Sequence, residues 1–85
     1  MTRKQYDELV KKWNPSMVLH IHYETKHARG SMEMSIAFFI EKYKKIIRVF
    51  KGCRIVDCSI IDYERGVVRK HFESLEEVYH YDKGI

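Results

Sequence analysis

Two histidines and a glutamate, His20, His22 and Glu24, occupy alternate positions in the segment MVLHIHYETKH. In an extended strand such residues share one face, with about 6.5 to 7 Å between the Cα atoms of His20 and His22, a spacing at which two imidazoles reach one metal ion. His27 follows in the adjoining loop, and His71 lies on a later strand that a suitable register would bring to the same face. The plainer alternative is a set of polar side chains on the solvent face of an edge strand, where Glu and Lys also discourage edge pairing. No His-Glu-x-x-His or Cys-x-x-Cys spacing supports a metal centre. The metal candidates therefore stop at His20 and His22, and no metal or cofactor is expected.

Catalytic patterns are missing as well. Gly30, Gly52, Gly66 and Gly84 stand alone, so no glycine-rich loop cradles a phosphate, and no serine sits between glycines as a nucleophile. Asp57, Asp62 and Glu64 fall on a strand and a hairpin, where carboxylates are ordinarily solvated rather than paired for general acid and base work. No catalytic residue is assigned, and the expectation is a small non-enzymatic binding module.

The second chemistry is electrostatic. Residues Met1 to Arg54 hold twelve basic and five acidic side chains, whereas Ile55 to Ile85 hold four and seven. Lys42, Lys44, Lys45, Arg48, Lys51 and Arg54 crowd one stretch, and they are the candidates for contacting nucleic-acid phosphates or an acidic protein surface. The competing function is a protein-interaction module, an adaptor or inhibitor docking through an exposed sheet face or edge strand, with Met34, Phe38 and Val49 as its apolar contacts. An unpaired first or third strand would also offer a route to a homodimer. Tyr63, Tyr79 and Tyr81 pack in the core or add to a recognition surface.

These side chains need elements to hold them. Thr2 caps a first helix with Gln5 as its capping-box partner; Tyr6, Leu9, Val10 and Trp13 form its stripe, and Asn14-Pro15 ends it. MVLHIHYETKH alternates as a strand, and Lys26 to Gly30 forms the next loop. From Ser31 to Gly52, Met32, Ile36, Phe39, Ile40, Tyr43, Ile46, Ile47 and Phe50 fall within one third of a helical wheel, with Gly52 in the left-handed position that stops the helix. CRIVDCSIIDYE is apolar on both faces and suits the middle of a sheet, with Val56, Cys58 and Ile60 on one face and Ile55, Ile61 and Tyr63 on the other. Tyr63 to Gly66 turns the chain into VVRKHF, and Ser74 caps a last helix with Glu77, burying Leu75, Val78 and Tyr79.

The resulting order is α-β-α-β-β-α: an α+β fold with a mixed or mostly antiparallel three-stranded sheet, helices on one face, and a right-handed crossover that makes the first two strands parallel. A rival order, α-β-β-α-β-β-α with four antiparallel strands, follows if Met32, Met34, Ile36 and Phe38 alternate as a strand. The helix is preferred because no Gly, Pro, Asn or Asp between Phe38 and Tyr43 breaks one element and starts another. Phe39, Tyr43, Ile47, Trp13, Ile21 and Ile60 are expected to be buried together.

Length and composition set the remaining bounds. Residues 1–85 suffice for one compact domain with a modest core. The N-terminus has no apolar signal region, and no run approaches the roughly 18 apolar residues of a membrane span, so a cytoplasmic location is expected. Cys53 and Cys58 are five apart in one extended segment, which puts them on opposite faces and leaves both reduced.

Overall fold

The structure is a computed structural model that describes residues 2–83. Its elements are α1 (Arg3–Lys12), β1 (Met17–Glu24), β2 (Arg29–Ser35), α2 (Ile36–Glu41), α3 (Tyr43–Val49), β3 (Arg54–Asp62), β4 (Val67–Phe72) and α4 (Leu75–Lys83). The four strands form one antiparallel sheet in the order β2-β1-β3-β4. The rival four-stranded order is thus the observed one, and the expected parallel pairing of the first strand with the one after the central helix is replaced by an antiparallel ladder. β1 and β3 are the central strands, while β2 and β4 are the edges, so the expectation that the first strand is an edge is also overturned.

The central segment departs from a single helix for a local reason. Ser35 has an extended backbone and its hydroxyl accepts the Phe38 backbone N–H, so it acts as an N-cap and divides strand β2 from helix α2. Ser caps a helix as well as Asn or Asp does, and no Gly or Pro is required. Lys42 leaves helical geometry at φ −101° and ψ 19°, which separates α2 from α3 while the Lys42 and Ile46 backbone N–H groups still reach back four residues. Lys26 to Gly30 is correspondingly a shorter turn, since Arg29 and Gly30 already belong to β2. Gly30 lies opposite Tyr23, whose ring covers it so closely that a Cβ there would stand 2.6 Å from the phenol oxygen.

Local signals at the other ends hold. Thr2 and Gln5 form the capping box of α1, and the hydroxyl of Ser74 accepts the Glu77 N–H while the Glu77 carboxylate accepts the N–H of Glu73. Gly52 and Gly66 both adopt positive φ, at 89° and 68°, which a side chain would strain. Asp62 supports the β3–β4 turn by accepting the N–H groups of Glu64 and Arg65, with Arg69 and Arg65 beside its second oxygen.

One sheet face carries the core. Leu19 and Ile21 of β1, Cys58 and Ile60 of β3 and Phe72 of β4 pack against Trp13, Ile36, Phe39, Ile40, Ile46, Phe50, Leu75 and Val78. Burying such side chains is the main driving force for the fold, at roughly 1.5 to 3 kcal/mol each. Of the six residues expected together, Trp13, Phe39, Ile21 and Ile60 are buried; Tyr43 is half-buried and packs against this core, but Ile47 is 37% exposed. The break at Lys42 restarts the stripe as Tyr43, Ile46 and Phe50, and Ile47 falls beside it.

Register irregularities correct the strand faces too. A shift between His22 and Tyr23 leaves Val56 without a direct partner on β1, so Ile55 turns to the core and Val56 to solvent. The same shift brings half-buried Cys53 to the core side with buried Cys58, against the expected opposite faces; both are free thiols. No described helix is long and apolar enough to cross a membrane.

Candidate functional site

Two surfaces bring candidate residues together, one at the β2 edge and one on the open sheet face. Along β2, Met32 and Met34 project to the helix side, where α2 supplies Phe38, the bend supplies Lys42, and α3 with its C-cap supplies Lys45, Ile46, Val49 and Phe50. Together they line a groove of about 410 Å³. Phe38 and Val49 are exposed at 44% and 67%, values far above those of the core. All three apolar interaction candidates, Met34, Phe38 and Val49, therefore meet in one place, beside an edge strand with no second strand partner among the described residues. Sequence reasoning omitted Met32 from this surface because the helical stripe assigned it to the core; Ile46 and Phe50, assigned to the core by the same stripe, are buried there and also line the groove.

The cations are less unified. Lys44, Lys45, Arg48 and Lys51 are exposed on α3 and the turn after it. Among the described residues, none of the four has an acidic group within ion-pair distance. Lys42 approaches Glu41 at 3.9 Å. Arg54 stands apart from them on β3, where it and Arg29 flank the carboxylate of Glu24 at 3.5 and 2.9 Å. The six candidate residues thus divide into a helical group and a sheet residue already engaged with an acid.

The open face presents a hydrogen-bonded chain. His20 Nδ1 lies 2.9 Å from Glu33 Oε2, and His20 Nε2 lies 2.9 Å from His22 Nε2. Tyr63 donates its hydroxyl to the same Glu33 oxygen. Cross-strand pairing explains the meeting: His20 is the register partner of Glu33 on β2 and of Ser59 on β3. The hydrogen bonds from His20 and then Tyr63 hold the Glu33 carboxyl below its ordinary range, and the bond to Glu33 raises the Tyr63 phenol. An ionised carboxylate only accepts, so the His20 proton sits on Nδ1. Glu33 escaped sequence reasoning because its contribution depends on strand pairing, its alternation with Met32 and Met34 being the available signal, and Tyr63, named as a core or recognition-surface tyrosine, was not connected with the histidines.

The other expected members of the histidine group go elsewhere. His71 faces Asp57 at 3.4 Å and is separated from His20 by the buried Ser59. Glu24 is taken by the two arginines, and the His27 backbone N–H bonds to Thr25 in the β1–β2 turn. Among the described residues, no group of three or more His, Cys, Asp or Glu side chains is arranged to hold a metal ion. Of the tyrosines, Tyr79 stacks on Tyr43 at 4.0 Å, and Tyr81 packs edge-on against Phe72. Burial above all, with Glu76 and Tyr79 adding to it, raises the Tyr43 phenol.

No protein-family model, curated protein or solved structure matches this chain.

Proposed function

We propose that the protein is a protein-interaction module whose β2 edge and adjoining groove take an extended, acidic segment of a partner, added to the sheet as a fifth strand. The observation that carries this reading is the convergence of Met32, Met34, Phe38 and Val49 beside an unpaired strand edge, with Lys42 and Lys45 on the rim. An added strand bonds through its backbone, and its alternate side chains enter the groove. Apolar residues at those positions would cover the methionines and Phe38, and intervening carboxylates would meet the lysines.

Panning a displayed library of acidic peptides against the full chain tests this. Sequences alternating Glu or Asp with Val, Ile or Phe should be enriched, and Phe38→Glu should abolish their binding; no enrichment, or undiminished binding by Phe38→Glu, overturns the reading.

A second reading, contact with nucleic-acid phosphates, draws on the exposed and acid-free group Lys44, Lys45, Arg48 and Lys51. Fluorescence anisotropy with duplex DNA, single-stranded DNA and RNA at about 50 and 150 mM salt separates it from the first, because phosphate contacts release counterions and weaken steeply with salt. Lys44→Ala combined with Arg48→Ala should then weaken binding to unrelated sequences alike and flatten the salt dependence. Absence of binding at the lower salt removes the nucleic-acid reading.

A further inference from the structure

We infer that the open face of the sheet carries a chelating site for a divalent transition metal with tetragonal preference, copper(II) or nickel(II), formed by Nε2 of His20 and Nε2 of His22. The two nitrogens are 2.9 Å apart. At metal–nitrogen distances of about 2.0 to 2.1 Å, that separation subtends about 90° at the metal, the angle between neighbouring ligands in a tetragonal complex. A tetrahedral ion would need the nitrogens about 3.4 Å apart at the same bond length.

Ring orientation points the same way. The imidazole centroids are 4.4 Å apart, only 1.5 Å more than the nitrogens. Rings meeting head-on in a linear N–H···N bond would be separated by the nitrogen distance plus two ring radii, a clearly larger value. These rings are instead angled away from the line between their nitrogens and tilted by 51° to each other, an arrangement compatible with both Nε2 atoms serving one ion.

The surroundings hold this arrangement in place. β1 is hydrogen-bonded on both sides, to β2 and to β3, which fixes the spacing of its two histidines. Glu33 accepts from His20 Nδ1 and so leaves the lone pair on Nε2, the carboxylate–histidine pairing that orients metal-bound imidazoles. Tyr63 bonds the same carboxylate from the turn that follows β3. On metal binding His22 takes the Nδ1–H tautomer, which frees its Nε2, and water fills the remaining positions. This site lies on the sheet face opposite the groove and is independent of the function proposed above.

Titrating the full chain with copper(II) sulfate in a non-coordinating buffer, followed by electron paramagnetic resonance, tests the site. One equivalent should bind with a tetragonal spectrum showing hyperfine coupling to two imidazole nitrogens. His22→Asn alters an exposed side chain and should keep the circular dichroism of the parent while weakening copper binding at least tenfold. Glu33→Gln should weaken it by about 10- to 100-fold, whereas His27→Asn and His71→Asn should leave it unchanged. Parent-like affinity in His22→Asn, or loss of the tightest site in His27→Asn or His71→Asn, overturns the assignment.

Discussion

The chain folds as two similar halves, each a hairpin followed by helix: β1–β2 with α2 and α3, and β3–β4 with α4. Their inner strands pair antiparallel at the centre of the sheet and their outer strands form its edges. In its helix layer the second half is closed, although Val67 and Val68 of its edge strand are exposed. Leu75 and Val78 of α4 are buried, and Asp82 accepts the indole N–H of Trp13 and pairs with Lys12 at 3.2 Å, so the residues at the end of α1 clamp its helix. The first half has buried Phe39 and Ile46 but leaves Met32, Phe38 and Val49 uncovered. Charge follows the same division: Lys42, Lys44, Lys45 and Arg48 mark the first half's helices, and Glu76, Glu77 and Asp82 mark α4. One layout thus serves closure of the helix layer in one half and presentation of an apolar surface from it in the other.

The largest effect should come from the shared core. Phe39→Ala removes a fully buried ring from α2 and should cost about 3 to 5 kcal/mol in urea melts. A loss below about 1 kcal/mol would mean that the first half does not depend on its inner helix face.

Next comes the clamp of the second half. Asp82→Ala leaves the buried indole N–H of Trp13 without its acceptor and should cost about 1 to 3 kcal/mol. An unchanged melt would break the contrast between a closed and an open half.

A pH experiment sharpens it further. Burial chiefly, with Asp57 and Glu77 adding to it, pushes the Cys58 thiol up to about 12. The unfolded thiol ionises near its ordinary value of 9.0, so between these values the unfolded chain holds fewer protons than the folded one. Stability from this group is therefore complete below pH 9 and is lost as pH rises, with a slope of at most about 1.4 kcal/mol per pH unit. The melts of Cys58→Ala should lack this component. At pH 8, Ellman's reagent should reach half-buried Cys53 in the native protein and Cys58 only after unfolding; equal rates for both would sink the assignment of Cys58 to the core.

The smallest effect on stability is expected at the open half's surface. Phe38→Ser and Val49→Ser should each shift the melt by no more than about 0.5 kcal/mol, since neither residue is in the core. A cost of 2 kcal/mol would assign them to folding rather than to the groove.

Much of the local structure can be read directly from residue types. The capping pairs Thr2–Gln5 and Ser74–Glu77, the glycines at 52 and 66 and the alternation of β1 act within a few residues, so their physics is contained in the sequence. Ser35 belongs with them: it is a cap whose signal was masked by the helical periodicity of its apolar neighbours. The antiparallel pairing of β1 with β3 was different: β2 intervenes before the helices, so the crossover joins β2 to β3, and β1 lies between these two strands antiparallel to both. Two bulges then reset which side chains share a face, at Val56 and at Arg69. The apolar contacts Met34, Phe38 and Val49 and the pair His20 and His22 could be named from the sequence. Their companions Met32 and Glu33 could not, because register is a property of paired strands, and a shift of one residue turns every side chain to the other face; Tyr63 could be named as a surface candidate, but not its bond to Glu33.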